Sequence, residues 1–292
     1  MPKAEIDLQV HPFLEKNSIV DIINTMYLKQ LDIVALASLD KTIYPRVLDQ
    51  IERNRLSLNL DPAGVKLTNN KYLLNAREYN SKEGFQVVTV GYTYDSAAPN
   101  TEIRKIIDYS LNNKALVILD HPFAENKITH TAGHISEEKE KELEELCKEY
   151  SGLIALEWNA YSVPWIRKGL KMALNSLHLI APNIVGYKTK YHDINKKTEE
   201  FSEKLQREGY HLPILADSDL HARTGWHLKT MGVSRVIAEL NGECASEIVE
   251  NMKKNFFSGK YENVKRYAGP GHVLSALCIP LLFPKIFKNP RG

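Results

Sequence analysis

Hydrophobic positions along the chain fall into short runs, separated by longer stretches in which apolar residues return every three or four places. The runs lie at 6–10, 31–39, 64–67, 85–90, 115–119, 153–156, 184–187, 212–216 and 233–238, and they predict roughly seven to nine short strands. The stretches 18–30, 101–112, 137–150 and 196–208 carry the spacing of amphipathic helices. Ser136 stands before the acidic turn Glu137-Glu138 as a helix cap, and Asn195 is placed to cap a helix starting at Lys196. Strand and helix alternate throughout, which predicts an α/β protein with parallel strands, either closed as a barrel or open and doubly wound.

Polar residues decide between these two. Gln9 and His11, Asp40, His121, Glu157 and Asn159, and Asp219 and His221 each stand where a separate apolar run ends. A barrel gathers the C-terminal ends of its strands on one rim, where such enzymes hold their chemistry. An open sheet gathers only those beside a switch point, and no glycine-rich phosphate loop marks one here. A barrel is therefore expected. Within Ile6–His11 the alternation puts Gln9 and His11 on one face.

Composition narrows the partners little. The 292 residues hold 38 Lys and Arg against 36 Asp and Glu, a net charge of +2, so no global charge demands a nucleic acid or a membrane. Cys147, Cys244 and Cys278 are odd in number and widely spaced, which argues against a disulfide framework and fits a reducing, cytoplasmic setting. The first residues show no apolar signal segment. Residues 273–283 are uncharged and mostly apolar and are followed by Lys285, Lys288 and Arg291. That segment is shorter than the about 20 residues a bilayer span needs. It reads as a terminal segment packed on the domain, or as a peripheral anchor at an anionic membrane surface. The expected organisation is one barrel domain over residues 1–265 with an apolar and basic extension over 266–292.

In their order, five short motifs resemble those of the PHP (polymerase and histidinol phosphatase) superfamily. Asp7-Leu8-Gln9-Val10-His11 is similar to its opening motif, Leu39-Asp40-Lys41-Thr42 to its second, and Asp120-His121-Pro122 to its third; Glu157-Trp158-Asn159 and Ser218-Asp219-Leu220-His221 are similar to the last two. The resemblance implies a distorted (β/α)7 TIM-type barrel that holds divalent metals, zinc or manganese, and hydrolyses phosphoesters. It implies metal ligands at His11, His121, Asp219 and His221, with His121 and His221 also available as acids or bases, and substrate contacts from Gln9, Asp40, Lys66, Glu157 and Asn159.

Departures from the pattern matter as much. Gln9 and Leu39 stand where the family has histidines, Gln86 where many members have one, and Lys66 where a glutamate usually bridges two metals. An ammonium at a bridging position repels a cation, so a reduced site with one ion or none is expected, with no ion keeping three ligands. His130 and His134 could add loop ligands, and Trp158, Tyr161 and Trp165 could line the barrel mouth. Two functions stay open at this point. One is a metal-dependent phosphoesterase acting on a phosphorylated small molecule or nucleotide. The other is a non-catalytic barrel serving as a binding or scaffolding subunit for RNA, protein or membrane through Lys188, Lys190, Lys253, Lys254 and the tail.

Overall fold

The computed structural model describes residues 3–93, 101–124, 135–164, 193–222 and 224–275. The run at 184–187, the loop histidines His130 and His134, Trp165, the 188–190 lysines and the tail beyond Ser275 lie outside these residues. Among the described residues no helix is long and apolar enough to cross a membrane.

A single sheet organises the described residues. Its barrel strands are β1 (Lys3–His11), β2 (Ile33–Ser38), β5 (Tyr72–Asn80), β6 (Gln86–Val90), β7 (Leu116–Asp120), β8 (Ala155–Asn159) and β9 (Ile214–Asp217), each hydrogen-bonded to the next. All run parallel except β6, which is antiparallel to both neighbours. The all-parallel expectation is corrected at this strand and at the runs 64–67 and 233–238, which also pair antiparallel. Only five residues, 81–85, separate β5 from β6, too few for the crossover of a dozen or more that parallel strands need. Reversal brings the first residue of β6, Gln86, to the rim where the other strands end.

Closure takes two further pieces. The two-residue strand β10 (Leu220–His221) pairs parallel with the end of β1, matching Val10 to Leu220 and His11 to His221. The start of β1 pairs instead with β11 (Arg235–Glu239), which carries β12 (Tyr261–Val264) on its other side. The Asn263 side chain of β12 then reaches β9, donating to the Ile214 carbonyl and accepting from Ala216 N–H. A hairpin of β3 (Ser57–Asp61) and β4 (Gly64–Leu67) hangs on the first residues of β5.

The helices sit where their apolar spacing placed them: α1 (Ile19–Leu28), α3 (Ile103–Asn112), α4 (Glu137–Glu149) and α5 (Ile194–Arg207), with α2 (Ile43–Arg53) and α6 (Ala245–Phe257) besides. Ser136 caps α4 by accepting from Lys139 N–H. The cap of α5 is Asp193 rather than Asn195. Asn195 is buried within the first turn and used elsewhere.

Inside the barrel the packing is apolar at the bottom. Ile6, Leu8, Leu74, Ala76, Val88, Ile118, Ala155 and Leu215 fill it, and Ile248, Val249, Met252 and Phe256 of α6 join the same core. Outward residues such as Val87, Val117, Leu119 and Leu156 pack under α3, α4 and α5. Strand alternation then carries each inward row upward: Leu74 and Ala76 to Glu78, Ile118 to Asp120, Ala155 to Glu157 and Asn159, Leu215 to Asp217. In these four strands the row turns from apolar to acidic or amide as it reaches the rim, whereas that of β2, with Ile33, Ala35 and Ala37, stays apolar. In β1 the register with β2 shifts between Asp7 and Val10. Across that irregularity the inward set changes parity, from Ile6 and Leu8 to Gln9 and His11, as a bulge allows.

Candidate metal centre

Six carboxylates are buried among the described residues: Asp7, Glu78, Asp120, Glu157, Asp217 and Asp219. No lysine or arginine among those residues is buried, so their charge can be offset only by imidazole, by protons or by a cation from outside. Five of them stand near or just beyond the end of a barrel strand, and Asp7 lies midway along β1.

Asp219 is the hub. Its Oδ1 lies 3.3 Å from His11 Nε2 and 3.4 Å from His221 Nε2, and its Oδ2 lies 3.6 Å from His121 Nε2. Glu78 Oε2 approaches His11 Nε2 at 3.3 Å. The rings of His11 and His221 stack at 4.4 Å between centroids and 8° between planes, so their nitrogens face the same acid side by side. Two ligand atoms each about 2.0–2.2 Å from one tetrahedral ion stand about 3.4 Å apart. The spacings of His11 and His221 to Asp219 match that value, and this three-residue donor set suits a zinc-like divalent ion, with Glu78 beside His11. Asp120, His121 and Glu157 form a second group whose candidate ligand atoms all lie within 4.8 Å of one another. The expectation was that no ion keeps three ligands; His11, Asp219 and His221 nevertheless place three candidate ligand atoms within 4.8 Å of one another.

The surrounding hydrogen bonds orient these groups. Asn159 Nδ2 donates to Asp219 Oδ2 at 2.9 Å and to Glu157 Oε1 at 2.6 Å. The end of β8 that carries Asn159 is itself held by Asn195, which accepts from Asn159 N–H at 3.0 Å and donates to its carbonyl at 2.8 Å. Gln9 Nε2 donates to Asp120 Oδ2 at 3.1 Å and Asp219 Oδ1 at 3.2 Å. Glu157 Oε2 sits 2.6 Å from His121 Nδ1 and accepts from the His121 backbone N–H at 2.7 Å. That anchors one face of the ring and turns Nε2 inward, the arrangement in which a carboxylate fixes a ligating histidine. Beneath them Asp7 accepts from Ser218 Oγ at 2.6 Å, Ser218 N–H at 3.1 Å and Gly232 N–H at 2.8 Å. Gly232 has φ +66, and a Cβ there would meet Leu31 at 2.8 Å, so glycine alone suits this approach.

Two of the six described non-glycine residues with positive φ lie in this cluster. His121 has φ +42 and Asp219 φ +43, left-handed values that are uncommon for residues other than glycine and that cluster at functional sites. Both occur one or two residues beyond a strand end, where the chain turns back across the mouth.

Electrostatics reflect the surplus of acid. Burial, reinforced by the Glu157 charge, raises Asp120 and Asp217 well above the usual carboxylate range. Burial pushes Asp7 up to about 6 and also raises Glu78, against the pull of His11. Asp219 goes the other way: burial opposes its charge, but His221, His11 and His121 hold it far below its ordinary value. Burial would lower His121, yet Glu157 and Asp219 lift it to about 9. Without a bound cation, then, the surroundings favour the protonated forms of Asp120, Asp217 and His121. A divalent ion would displace such protons.

Of the residues expected from sequence, His11, His121, Asp219, His221, Gln9, Glu157 and Asn159 are brought together. Asp40 and Lys66 are not. Asp40 Oδ1 turns back to accept from Thr42 N–H and Oγ1. Lys66 lies on β4 opposite Tyr72, the first residue of β5, and pairs with Glu243 at 3.1 Å. Six residues along β5, about 20 Å at strand rise, separate that level from Glu78. The lysine expected to displace a bridging glutamate is therefore at the other rim, and Glu78 is the acid at the mouth. Glu78 escaped the sequence reading because Asn75, Arg77 and Glu78 break the apolar run of β5. The inward alternation Leu74, Ala76, Glu78 was the available signal. Trp158 alternates away from the mouth and packs against Tyr267 at 5.0 Å, and the Tyr161 hydroxyl meets Thr230 Oγ1 at 2.9 Å.

No protein-family profile matches the sequence, and no curated protein resembles it in sequence. Solved structures do. PsfC from Pseudomonas syringae is 13% identical and superposes at a TM-score of 0.50 over 98% of this chain and 100% of its own. The lesion-specific endonuclease Q of Pyrococcus furiosus is 14% identical at 0.50, over 90% of this chain but 58% of the endonuclease. A two-domain Bacteroides vulgatus protein containing a predicted PHP-like metal-dependent phosphoesterase is 8% identical at 0.50, over 95% and 70%. Identities of 8 to 14% speak for architecture rather than substrate, and on that architecture the chain has the PHP-like fold, a distorted α/β barrel.

Proposed function

We propose that the protein is a divalent-metal-dependent phosphoester hydrolase whose centre is the cluster around Asp219. The observation that carries this reading is the convergence of three imidazole nitrogens on one carboxylate, with Glu78 against the His11 ring, in a buried acidic mouth with no buried lysine or arginine among the described residues. His11, Asp219 and His221 would hold one ion, with Glu78 beside His11, and Asp120, His121 and Glu157 offer a second position. A bound zinc or manganese ion would supply electrophilic stabilisation of a phosphoryl oxygen and acidify water near neutral pH.

The chain's own contribution is positioning and proton supply. Asn159 and Gln9 fix the carboxylates of Asp219, Glu157 and Asp120 by amide donation. His121, its Nδ1 anchored on Glu157 and its side chain 15% exposed, is the group placed to protonate a departing oxygen. His221, 27% exposed, guards the solvent side of the first ion position. The fold shared with a phosphoesterase and an endonuclease agrees with phosphate as the ligand chemistry.

Elemental analysis of the purified protein tests this reading, together with turnover of p-nitrophenyl phosphate and bis-p-nitrophenyl phosphate under added manganese or zinc. At least one equivalent of metal and metal-stimulated release of nitrophenol are expected. His121→Gln should keep the ion held by His11, Asp219 and His221 and lose turnover, whereas His221→Ala should lose that ion. A protein without metal and without turnover under either ion would reverse the conclusion in favour of a non-catalytic barrel, a role in which Gln9 stands in for a cation by donating to two acids.

A further inference from the structure

A groove of about 540 Å³ runs along one side of the barrel between α1 and the segment 225–229. It begins at the metal-centre rim. Asn17 in its wall donates to the carbonyl of Ala222, the residue after His221, and its own N–H bonds to the Phe13 carbonyl, with the Phe13 ring 6.2 Å from His221. It ends past the last turn of α1, about 15 Å along the helix.

Three ammonium groups line this path, Lys16 near the rim and Lys29 and Lys229 toward the far end, against one carboxylate, Asp21. Asp21 is engaged by the helix cap, where it accepts from Ser18 N–H and Oγ. None of the three lysines forms an ion pair among the described residues, whereas Lys66, Lys71, Lys148, Lys197, Lys204 and Lys265 all do. On a chain of net charge +2 the groove is therefore a local positive track. Trp226, next to Gly225 in its wall, stacks on His272 at 3.9 Å and stays 42% exposed. Lysines along a groove with an exposed aromatic beside them suit a strand of nucleotides, whose phosphates meet the charges and whose bases stack.

We propose that this groove carries the backbone of a single-stranded nucleic acid to the metal centre, so that the substrate class is an oligonucleotide phosphodiester rather than a small phosphomonoester. The proposal rests on the phosphoesterase reading of the Asp219 cluster and deepens it.

Fluorescence anisotropy with a fluorescein-labelled dT20, measured between 50 and 200 mM salt, tests it on the full chain. The wild type should bind, and a Lys29→Glu/Lys229→Glu variant should bind at least tenfold more weakly, with a salt slope smaller by about 1.4, at about 0.7 per lost phosphate contact. A Lys29→Gln/Lys229→Gln variant should shift affinity the same way by less, which separates lost charge from misfolding. The ratio of kcat/KM for dT20 cleavage to that for bis-p-nitrophenyl phosphate should fall tenfold or more in the Glu variant. Unchanged dT20 affinity in both variants overturns the proposal, as does absence of dT20 binding by the wild type. Binding to phosphatidylserine vesicles in place of dT20 overturns it in favour of a membrane surface. Failure of the phosphoesterase reading is read separately, as absence of metal and of small-ester turnover.

Discussion

The two ends of this barrel carry similar residue types and treat them in opposite ways. At the end where the strands begin, Lys66 pairs with Glu243 and Lys71 with Asp32, each at the edge of the solvent. At the end where the strands finish, five carboxylates are buried beside three histidines, with no buried lysine or arginine among the described residues. Charges at the first rim are already balanced, so it gains little from binding an ion. The second is left with unbalanced acid in a poorly solvated cleft, a costly arrangement that protons relieve in part and a divalent ion relieves more fully. Residue identity alone does not distinguish the two rims; burial of acids without a buried lysine or arginine among the described residues does.

The strongest way to break the contrast is to exchange the treatment of the two rims. Asp219→Ala removes the shared partner of three imidazoles and should eliminate bound metal and lower turnover by about 1000-fold or more, as loss of a metal's electrophilic role does. Lys66→Glu, at the balanced rim, should leave metal content and kcat within about twofold. Metal gained by Lys66→Glu would show that the two ends have been assigned wrongly. Next in size, Glu78→Gln keeps the shape but removes the charge beside His11, and should weaken metal affinity by about 10- to 100-fold, read by competition with a chelating dye.

Acidity sharpens the comparison further. His121 sits at about 9 in the fold against an ordinary 6.5, so its stabilising contribution is complete below pH 6.5 and vanishes as pH rises through 9. Asp7, raised from 3.8 to about 6, likewise contributes below 3.8 and loses that contribution as pH rises through 6. Asp219, held low, has the opposite sign: its contribution is present above 3.8 and is lost as pH falls further. Melting of the metal-free protein should therefore shift downward between pH 6.5 and 9, and added metal should flatten that decline. A metal-free melting temperature that rises over this window would contradict the protonated mouth. The smallest expected effect is that of Asn195→Ala, which removes two hydrogen bonds to Asn159 and should cost about 1–3 kcal/mol in urea unfolding, with a modest rise in KM as Asn159 loosens.

Much of this was legible in the chain. The strand ends at His11, His121, Glu157 and Asp219 could be read because an apolar run followed by a polar residue marks where a buried strand meets a rim. The helix from Glu137 could be read because its cap and its periodicity are local. The reversed strand β6 and the acid Glu78 could not, since β5 mixes Asn75, Arg77 and Glu78 into its sequence and its pattern is resolved only once its inward side is known. Lys66 was misplaced for a related reason: a short run, Gly64-Val65-Lys66-Leu67, looks like any other barrel strand until pairing shows that it hangs on the first residues of β5.

What the sequence determined by itself was the supply: alternating strands and helices, a set of histidines and carboxylates at strand ends, and caps that depend only on neighbours. What the tertiary structure decided was who meets whom, through the irregularity in β1 that turns Gln9 and His11 inward, the reversal of β6, and the short pairing of β10 that sets His221 against His11. The physical reason is range. Hydrophobic periodicity and capping act over a few residues, while strand register and the burial of charge are settled by contacts between segments a hundred or more residues apart.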